Sequence, residues 1–279
     1  MKVWIIYDNK FETTKRYCVD AMLDAAKRHN IDAEVLFPIY FTSVFENGKV
    51  KLLYKNQVID NLPDYVLFRI YDNELLQTFE KLGVKIINGG MMQSKNKYIS
   101  TIFASNLNMN IPKTIYTKNY DYDYISSLLG STFIMKDNFG AKGTDVYLIK
   151  NKDEFEKVKN NADFIFQKFI EKSAGKDTRL YVLENRVVGC IERYSENGDF
   201  RSNVAVGGKC REIDVPEEIK KQAVELSKAM NIPICSVDFL FDQEKYYFCE
   251  INANAGFTIY AYGENNMQDK IMQYISKLK

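Results

Sequence analysis

Ser236-Val237-Asp238-Phe239-Leu240-Phe241-Asp242 and, after three further residues, Tyr246-Tyr247-Phe248-Cys249-Glu250-Ile251-Asn252 form the stretch on which the reading of this chain turns. Both runs are rich in aromatic and β-branched residues and a short polar link joins them, which predicts an antiparallel hairpin. A three-residue loop, Gln243 to Lys245, pairs Asp242 with Tyr246 and sets Asp238 opposite Glu250. Any loop of odd length keeps Asp238, Glu250 and Asn252 on one face, because strand side chains alternate with a period of two. The other face carries Val237, Phe239, Phe241, Tyr247, Cys249 and Ile251, a core face. Carboxylates facing each other across strands repel, and more strongly as water is withdrawn. A cation between them removes that cost, and two carboxylates with an amide oxygen suit Mg²⁺. A partly polar sheet face with arginine or lysine partners is an equally good reading of this hairpin alone.

Upstream, Lys136-Asp137-Asn138-Phe139-Gly140-Ala141-Lys142-Gly143-Thr144-Asp145 joins two predicted strands. It is not a phosphate loop of the type that runs into a helix. Gly140 and Gly143 let backbone N–H groups fold over a phosphate chain, with Lys136 and Lys142 aimed at the phosphates; an ordinary hairpin turn is the simpler reading. Arg179, Arg193, Arg201, Lys209 and Arg211, with Asn203 among them, form a run of cations suited to carboxylates and phosphates. A solvated charged face explains Lys209 and Arg211 better than it explains Arg179 and Arg201. Phe164–Ile170 ends a strand where an apolar slot would hold a purine, read by backbone groups around Lys168 and Ile170; a plain core strand fits as well.

The rest of the chain frames these segments. Val3–Tyr7, Ala33–Phe37, Tyr65–Ile70 and Val84–Ile87 read as strands, alternating with helices over residues 13–30 and 74–82, which predicts a small open α/β sheet. Asn47-Gly48 marks a tight hairpin, since both positions tolerate positive φ. Beyond Gly89-Gly90 the pattern predicts helices at Lys95–Leu107, Tyr124–Leu129, Lys152–Asn160 and Pro216–Met230 and from Met267, with strands between them.

Composition narrows the function. The 279 residues hold 38 Lys+Arg against 37 Asp+Glu, a balance that argues against a basic nucleic-acid grip. A single histidine, His29, closes off histidine-based nucleophilic and metal chemistry, so catalysis must run on carboxylates, lysines and arginines. Five scattered cysteines without a CxxC pair read as reduced thiols, and no run approaches a signal segment or membrane span, which together predict a cytoplasmic protein.

Taken in order, the segments resemble an ATP-grasp ligase of the RimK-like branch, which attaches amino acids such as glutamate to carboxyl groups. Leu67-Phe68-Arg69-Ile70 resembles the branch's Pro-Arg-Ile strand end, with Asn88 before the next helix, and Asn96-Lys97 resembles its Asp-Lys. Lys136, Gly140–Gly143 and Phe166–Ile170 match the second lysine, the glycine lid and the adenine hinge. Asp177-Thr178-Arg179 matches Asp-Ile-Arg, Gly198–Asn203 is close to the branch's wording, and Val237-Asp238 with Glu250-Ile251-Asn252 is similar to its magnesium-ligand ending. The chain departs from the branch at Val204-Ala205-Val206, at Ala253-Asn254-Ala255 and at Lys168.

The resemblance implies an α/β (α+β) ATP-grasp fold: an N-terminal open α/β lobe over 1–92, a central lid lobe over 93–170 and a C-terminal antiparallel-sheet lobe over 171–279. It implies ATP and two Mg²⁺ ions (Mn²⁺ being a substitute) held by Asp238, Glu250 and Asn252. ATP contacts fall on Lys97, Lys136, Gly140, Lys142, Gly143, Gln167, Lys168, Phe169, Ile170, Asp177 and Asn203, with Arg201 and Arg179 as catalytic cations. The implied partners are an amino-acid amine and a carboxylate acceptor on a small molecule, peptide or protein, with neither nucleic acid nor membrane; a homo-oligomer fits the branch. D-alanine-ligase-like synthesis, side-chain joining within a peptide, and a non-catalytic nucleotide-binding module are the alternatives.

Overall fold

A computed structural model describes residues 1–14, 16–141, 143, 145–203, 207–243, 245–257 and 266–278. In chain order the elements are β1 (Lys2–Tyr7), α1 (Tyr17–Arg28), β2 (Asp32–Leu36), β3 (Phe41–Glu46), β4 (Lys49–Tyr54), β5 (Gln57–Val58), β6 (Tyr65–Arg69), α2 (Asn73–Lys81), β7 (Lys85–Ile87), α3 (Met91–Lys95), α4 (Lys97–Asn106) and β8 (Thr114–Tyr116). They continue as α5 (Tyr122–Leu129), β9 (Phe133–Asp137), β10 (Val146–Ile149), α6 (Lys152–Val158), β11 (Phe164–Lys168), β12 (Lys176–Leu183), β13 (Arg186–Tyr194), β14 (Lys209–Glu212), α7 (Glu217–Ala229), β15 (Ile234–Asp242), β16 (Lys245–Asn252) and α8 (Met267–Ile275). Two compact units result. One holds Met1–Met92, Asn231–Ile234 and Asn254–Lys279; the other holds Gln93–Met230 and Cys235–Ala253.

The first unit is built on a parallel sheet in the order β2-β1-β6-β7. β1 and β6 are its central strands, and Val3, Ile5, Ile6, Val66, Leu67 and Phe68 are all fully buried, as expected where both faces of a parallel sheet are covered. α1 buries Val19, Met22, Ala25 and Ala26 and packs against α8. Asp72 caps α2 by accepting from the Leu75 amide at 2.9 Å. The β3–β4 hairpin turns at Asn47 and Gly48, whose φ values of 50° and 73° match the tight turn read from the sequence.

The second unit carries two sheets. The smaller, β10-β9-β11-β8, is antiparallel and closes over α5 and α6 on an aromatic core of Phe133, Phe155, Phe164 and Phe166 with Ile125 and Met135. The larger runs β14-β13-β12-β15-β16, with α4 packed on β16 and α7 on β12 and β13.

Two local readings need correction. The helix expected over Lys95–Leu107 is interrupted, because the Asn96 side chain accepts from the Ile99 amide and so starts α4 at Lys97. The β15–β16 link is shorter than expected: Asp242 pairs with Lys245, not Tyr246. A bulge between Asp238 and Phe239 on the β15 side restores the register, leaving Cys249 without a partner residue and Asp238 opposite Glu250. The bulge also changes the faces. Phe248, opposite Phe239, is the buried ring, while Cys249 shares the cavity side with Glu250.

Candidate functional site

One cavity in the second unit gathers most of the residues singled out above. Its lining includes Lys97, Lys136, Gly140, Gly143, Gln167 to Ile170, Asp177, Arg201, Asn203, Asp238 and Glu250. Ile134, Val146 and Leu240 give it apolar walls suited to a flat ring. Lys142 was expected here and lies outside the described residues.

Both lysines are buried. Lys97 opens α4, and its Nζ donates to the backbone oxygens of Asp137, at 3.0 Å, and Gly140. The loop is pinned to the same helix start by Asn138, whose backbone oxygen accepts from the Lys97 amide at 3.0 Å and whose Oδ1 accepts from the Tyr98 amide at 2.8 Å. An ammonium has three donors, so one remains for an anion. Burial lowers the Lys97 pKa, and the Glu250 charge opposes that shift. Lys136 projects from β9 toward the bulged Cys249, with Nζ 3.8 Å from its sulfur. The thiol itself is pushed up to about 11 by burial, so it is a neutral wall and not a nucleophile at ordinary pH.

In the glycine loop the tightest position is Gly143. Gly143 has φ 75°, and a Cβ there would sit 2.6 Å from Asn203 Oδ1. Its carbonyl accepts from Arg201 Nη1 at 2.9 Å, which ties the loop to the segment carrying Arg201 and Asn203. The remaining edges of that guanidinium lie on Asp199, with Nη2–Oδ2 at 2.7 Å. At the hinge, Gln167 is buried and donates to Thr114 Oγ1 at 2.9 Å, while the Lys168 amide donates to the Lys113 oxygen.

Beneath the cavity lies a buried ionic chain. Arg179 grips Asp238 with Nε–Oδ1 at 2.8 Å and Nη2–Oδ2 at 2.7 Å. Arg193 Nη2 donates to the same Asp238 Oδ2 at 2.7 Å, and Arg193 also holds both oxygens of Asp177. Ser202 Oγ donates to Asp177 at 2.6 Å. The pattern follows from strand order: β12 lies between β13 and β15, and Asp177 faces Arg193 across the β12–β13 ladder. Burial would raise the Asp238 pKa, but Arg179 and Arg193 outweigh it and hold it at about 2. Asp177 moves up, through burial and the charge of Asp238, against the pull of Arg193. The two titrate as a pair, and Asp238, with two arginines, ionises first.

This arrangement bears on the hairpin's two readings. Asp238 has the arginine partners of the second one, yet three donors use three of a carboxylate's about four lone-pair positions, leaving one at Oδ1. Glu250 forms no ion pair among the described residues, lies within hydrogen-bonding reach of Asp238 and accepts from Asn252 Nδ2 at 3.0 Å. That bond turns the Asn252 oxygen to the opposite side of its amide. The donor set is oxygen only, so it fits a hard divalent cation centred on Glu250, with Asp238 as a single-oxygen ligand.

The sequence reading missed the part Arg193 plays, the Ser202–Asp177 link and the cavity-side placement of Cys249. Arg193 was visible only as one cation in a run. A bulge between Tyr181 and Val182 shifts the β12–β13 register by one residue, so counting back from the Glu184-Asn185 turn puts Glu192, not Arg193, opposite Asp177. Arg179, expected as a catalytic cation, spends its guanidinium on Asp238 and does not line the cavity.

A small antiparallel sheet and a larger sheet flanking a lysine- and carboxylate-lined cavity define the architecture of the ATP-grasp enzymes. A Chryseobacterium gregarium RiPP-associated ATP-grasp ligase, solved with ADP and a leader and core peptide, matches with a TM-score of 0.75 at 17% identity, covering 100% of this chain and 97% of that one. The ATP-grasp ligase PsnB, solved with a phosphomimetic precursor variant, Mg and ADP, matches with a TM-score of 0.71 at 15% identity, covering 98% and 97%. The sequence profile of RimK-like ATP-grasp domains matches residues 94–275, and this chain belongs to that family. A probable alpha-L-glutamate ligase of Parasynechococcus marenigrum is 29% identical over 72% of this chain, which spans 45% of that protein's length.

Proposed function

We propose that this chain is an ATP-dependent carboxylate–amine ligase. The carrying observation is that two buried lysines, a glycine loop and the Asp238–Glu250 pair line a single cavity. In this reading a substrate carboxylate oxygen attacks the γ-phosphorus of ATP and the bond to the β-phosphate bridge breaks, giving an acyl phosphate and ADP. An amine then attacks the acyl carbon, phosphate leaves, the amine gives up a proton, and an amide remains. Lys97 and Lys136 hold the phosphates, and the Gln167–Ile170 edge takes the adenine. Arg201 leaves Asp199 to meet the transferring phosphoryl group, and the Gly140–Gly143 loop keeps water from the acyl phosphate. Glu250 and one Asp238 oxygen, joined by the Asn252 oxygen once its amide turns over from the bond to Glu250, would hold two Mg²⁺ ions, or Mn²⁺, which offset charge on the β- and γ-phosphates. Arg179 and Arg193 are positioning residues that fix Asp238.

A glutamate-like amine donor, a peptide, protein or metabolite acceptor, a cytoplasmic setting, a homo-oligomer and the lobe boundaries 1–92, 93–170 and 171–279 belong to the same proposal. None of the described helices is long and apolar enough to cross a membrane.

The test is ADP release from ATP and Mg²⁺ across an amino-acid and acceptor panel, with mass spectrometry of the product. Glu250→Gln should fold normally and lose about 10²–10³ in rate. Normal turnover by that variant removes the assignment of Glu250, and absence of ADP release with every pair removes the enzyme reading in favour of a nucleotide-binding module.

A further inference from the structure

The first unit contains a buried charge of its own, apart from the cavity of the second. Arg69, at the C-terminal end of β6, is 8% exposed. Its Nη2 donates to the Ala255 carbonyl at 2.7 Å, while Nε and Nη1 are buried and have no hydrogen-bond partner among the described residues. No carboxylate forms an ion pair with it among those residues either. Of the acidic side chains adjacent in sequence, Asp8 holds Lys10 at 2.6 Å and Asp72 caps α2. A guanidinium taken out of water normally has its donors filled, since the charge is otherwise costly to bury. Here the face is covered by the Phe257 ring, 4.8 Å from the guanidinium carbon, and the edge is left open to a partner.

The position gives this edge a meaning. In the order β2-β1-β6-β7 the chain leaves β1 toward one side of the sheet and β6 toward the other, so β1 and β6 flank the topological switch point. Tyr7 and Arg69, paired in register, are the last residues of those two strands. Ligands of open parallel sheets bind outside the carboxyl ends of the strands at that point. The Tyr7 phenol, whose pKa burial raises against the pull of the Arg69 charge, lies within hydrogen-bonding reach of that guanidinium but outside the alignment that would fill Nε or Nη1.

We propose that Arg69 is a carboxylate-binding subsite: one edge of its guanidinium, an open Nε or Nη1 together with the second hydrogen of Nη2, receives a substrate carboxylate at the β1–β6 switch point. The proposal rests on the ligase reading for what the carboxylate is, a substrate, and on the first unit alone for where it binds. Nε and Nη1 each share an edge with Nη2, so either edge can offer two parallel N–H groups to the two oxygens of a carboxylate and discriminate against a neutral amide.

The experiment uses the full chain labelled with ¹⁵N-arginine, with the Arg69 Nε–H signal assigned by its absence from Arg69→Lys. L-Glutamate, succinate and citrate are titrated without nucleotide, each against a neutral amide control (L-glutamine, succinamide, citramide). At least one carboxylate should move the Arg69 signal saturably while the amides leave it in place. Calorimetry should show that carboxylate binding Arg69→Lys about tenfold to a hundredfold more weakly at an unchanged melting temperature. A signal that none of the three carboxylates moves up to solubility, or that the amides move equally, overturns the subsite. A signal that moves in a protein that never releases ADP keeps the subsite and removes the ligase reading; ADP release with an unmoved signal does the reverse.

Discussion

Buried arginines in the two units have opposite surroundings. In the second unit, Arg193 is 4% exposed and holds two aspartates, and Arg179 holds one of the same pair through two bonds. In the first unit, Arg69 is nearly as buried and has a carbonyl, a ring and two unfilled donors. Desolvation is comparable, but only the second unit compensates it with charge. A compensated arginine is a strut: removing it strands the carboxylates it was holding. An uncompensated one strands nothing when it is removed, so it contributes little to stability where it stands.

The largest effect tests the strut. Arg193→Leu should destabilise the protein by about 3–5 kcal/mol, because Asp177 and part of Asp238 remain buried without a counter-charge. Denaturant unfolding followed by circular dichroism reads this directly, and a loss below about 1 kcal/mol would mean the chain is not compensated as described. Arg179→Leu should cost less, about 2–3 kcal/mol, since Asp238 keeps its bond from Arg193. Arg69→Met completes the contrast. It removes one charge-assisted bond to Ala255 but also an unpaired buried charge, so stability should stay within about 1 kcal/mol of the parent. A loss as large as that of Arg193→Leu would show that Arg69 is a strut as well and collapse the comparison.

The same contrast explains what was legible in the sequence. Periodic apolar runs placed β1, β6, α7 and β15 well, and Asn47-Gly48 announced its turn, because both signals are local. The opposition of Asp238 and Glu250 was also read, though from a loop one residue too long; the bulge at Cys249 cancelled that error. The Asp177–Arg193 pairing was not readable, because a bulge leaves no compositional mark and shifts every later pair by one residue. In the sequence, Arg69 reads only as a strand end. Neither its burial nor its lack of a partner is encoded near it, since the Ala255 carbonyl and Phe257 ring arrive from the far end of the chain.

Arg201 gives the smallest effect on stability and the sharpest view of how binding and strut roles separate. Its guanidinium lies on Asp199 in a pair whose side chains are 26% and 21% exposed, and its contact with the Gly143 carbonyl is to a loop. The Asp199 hydrogen bonds raise the arginine pKa, and the Arg201 bonds lower that of Asp199; solvent screens both groups, so neither shift translates into much folding energy. Arg201→Ala should therefore shift stability by less than about 0.5 kcal/mol. In the ligase reading the same change should slow ligation about a hundredfold, because the cation acts only when charge develops on the transferring phosphoryl group. Nucleotide affinity should change little, which separates a contact made in the transition state from one made on binding. Equal losses in affinity and rate would instead assign Arg201 to ground-state binding of ATP, beside Lys97 and Lys136.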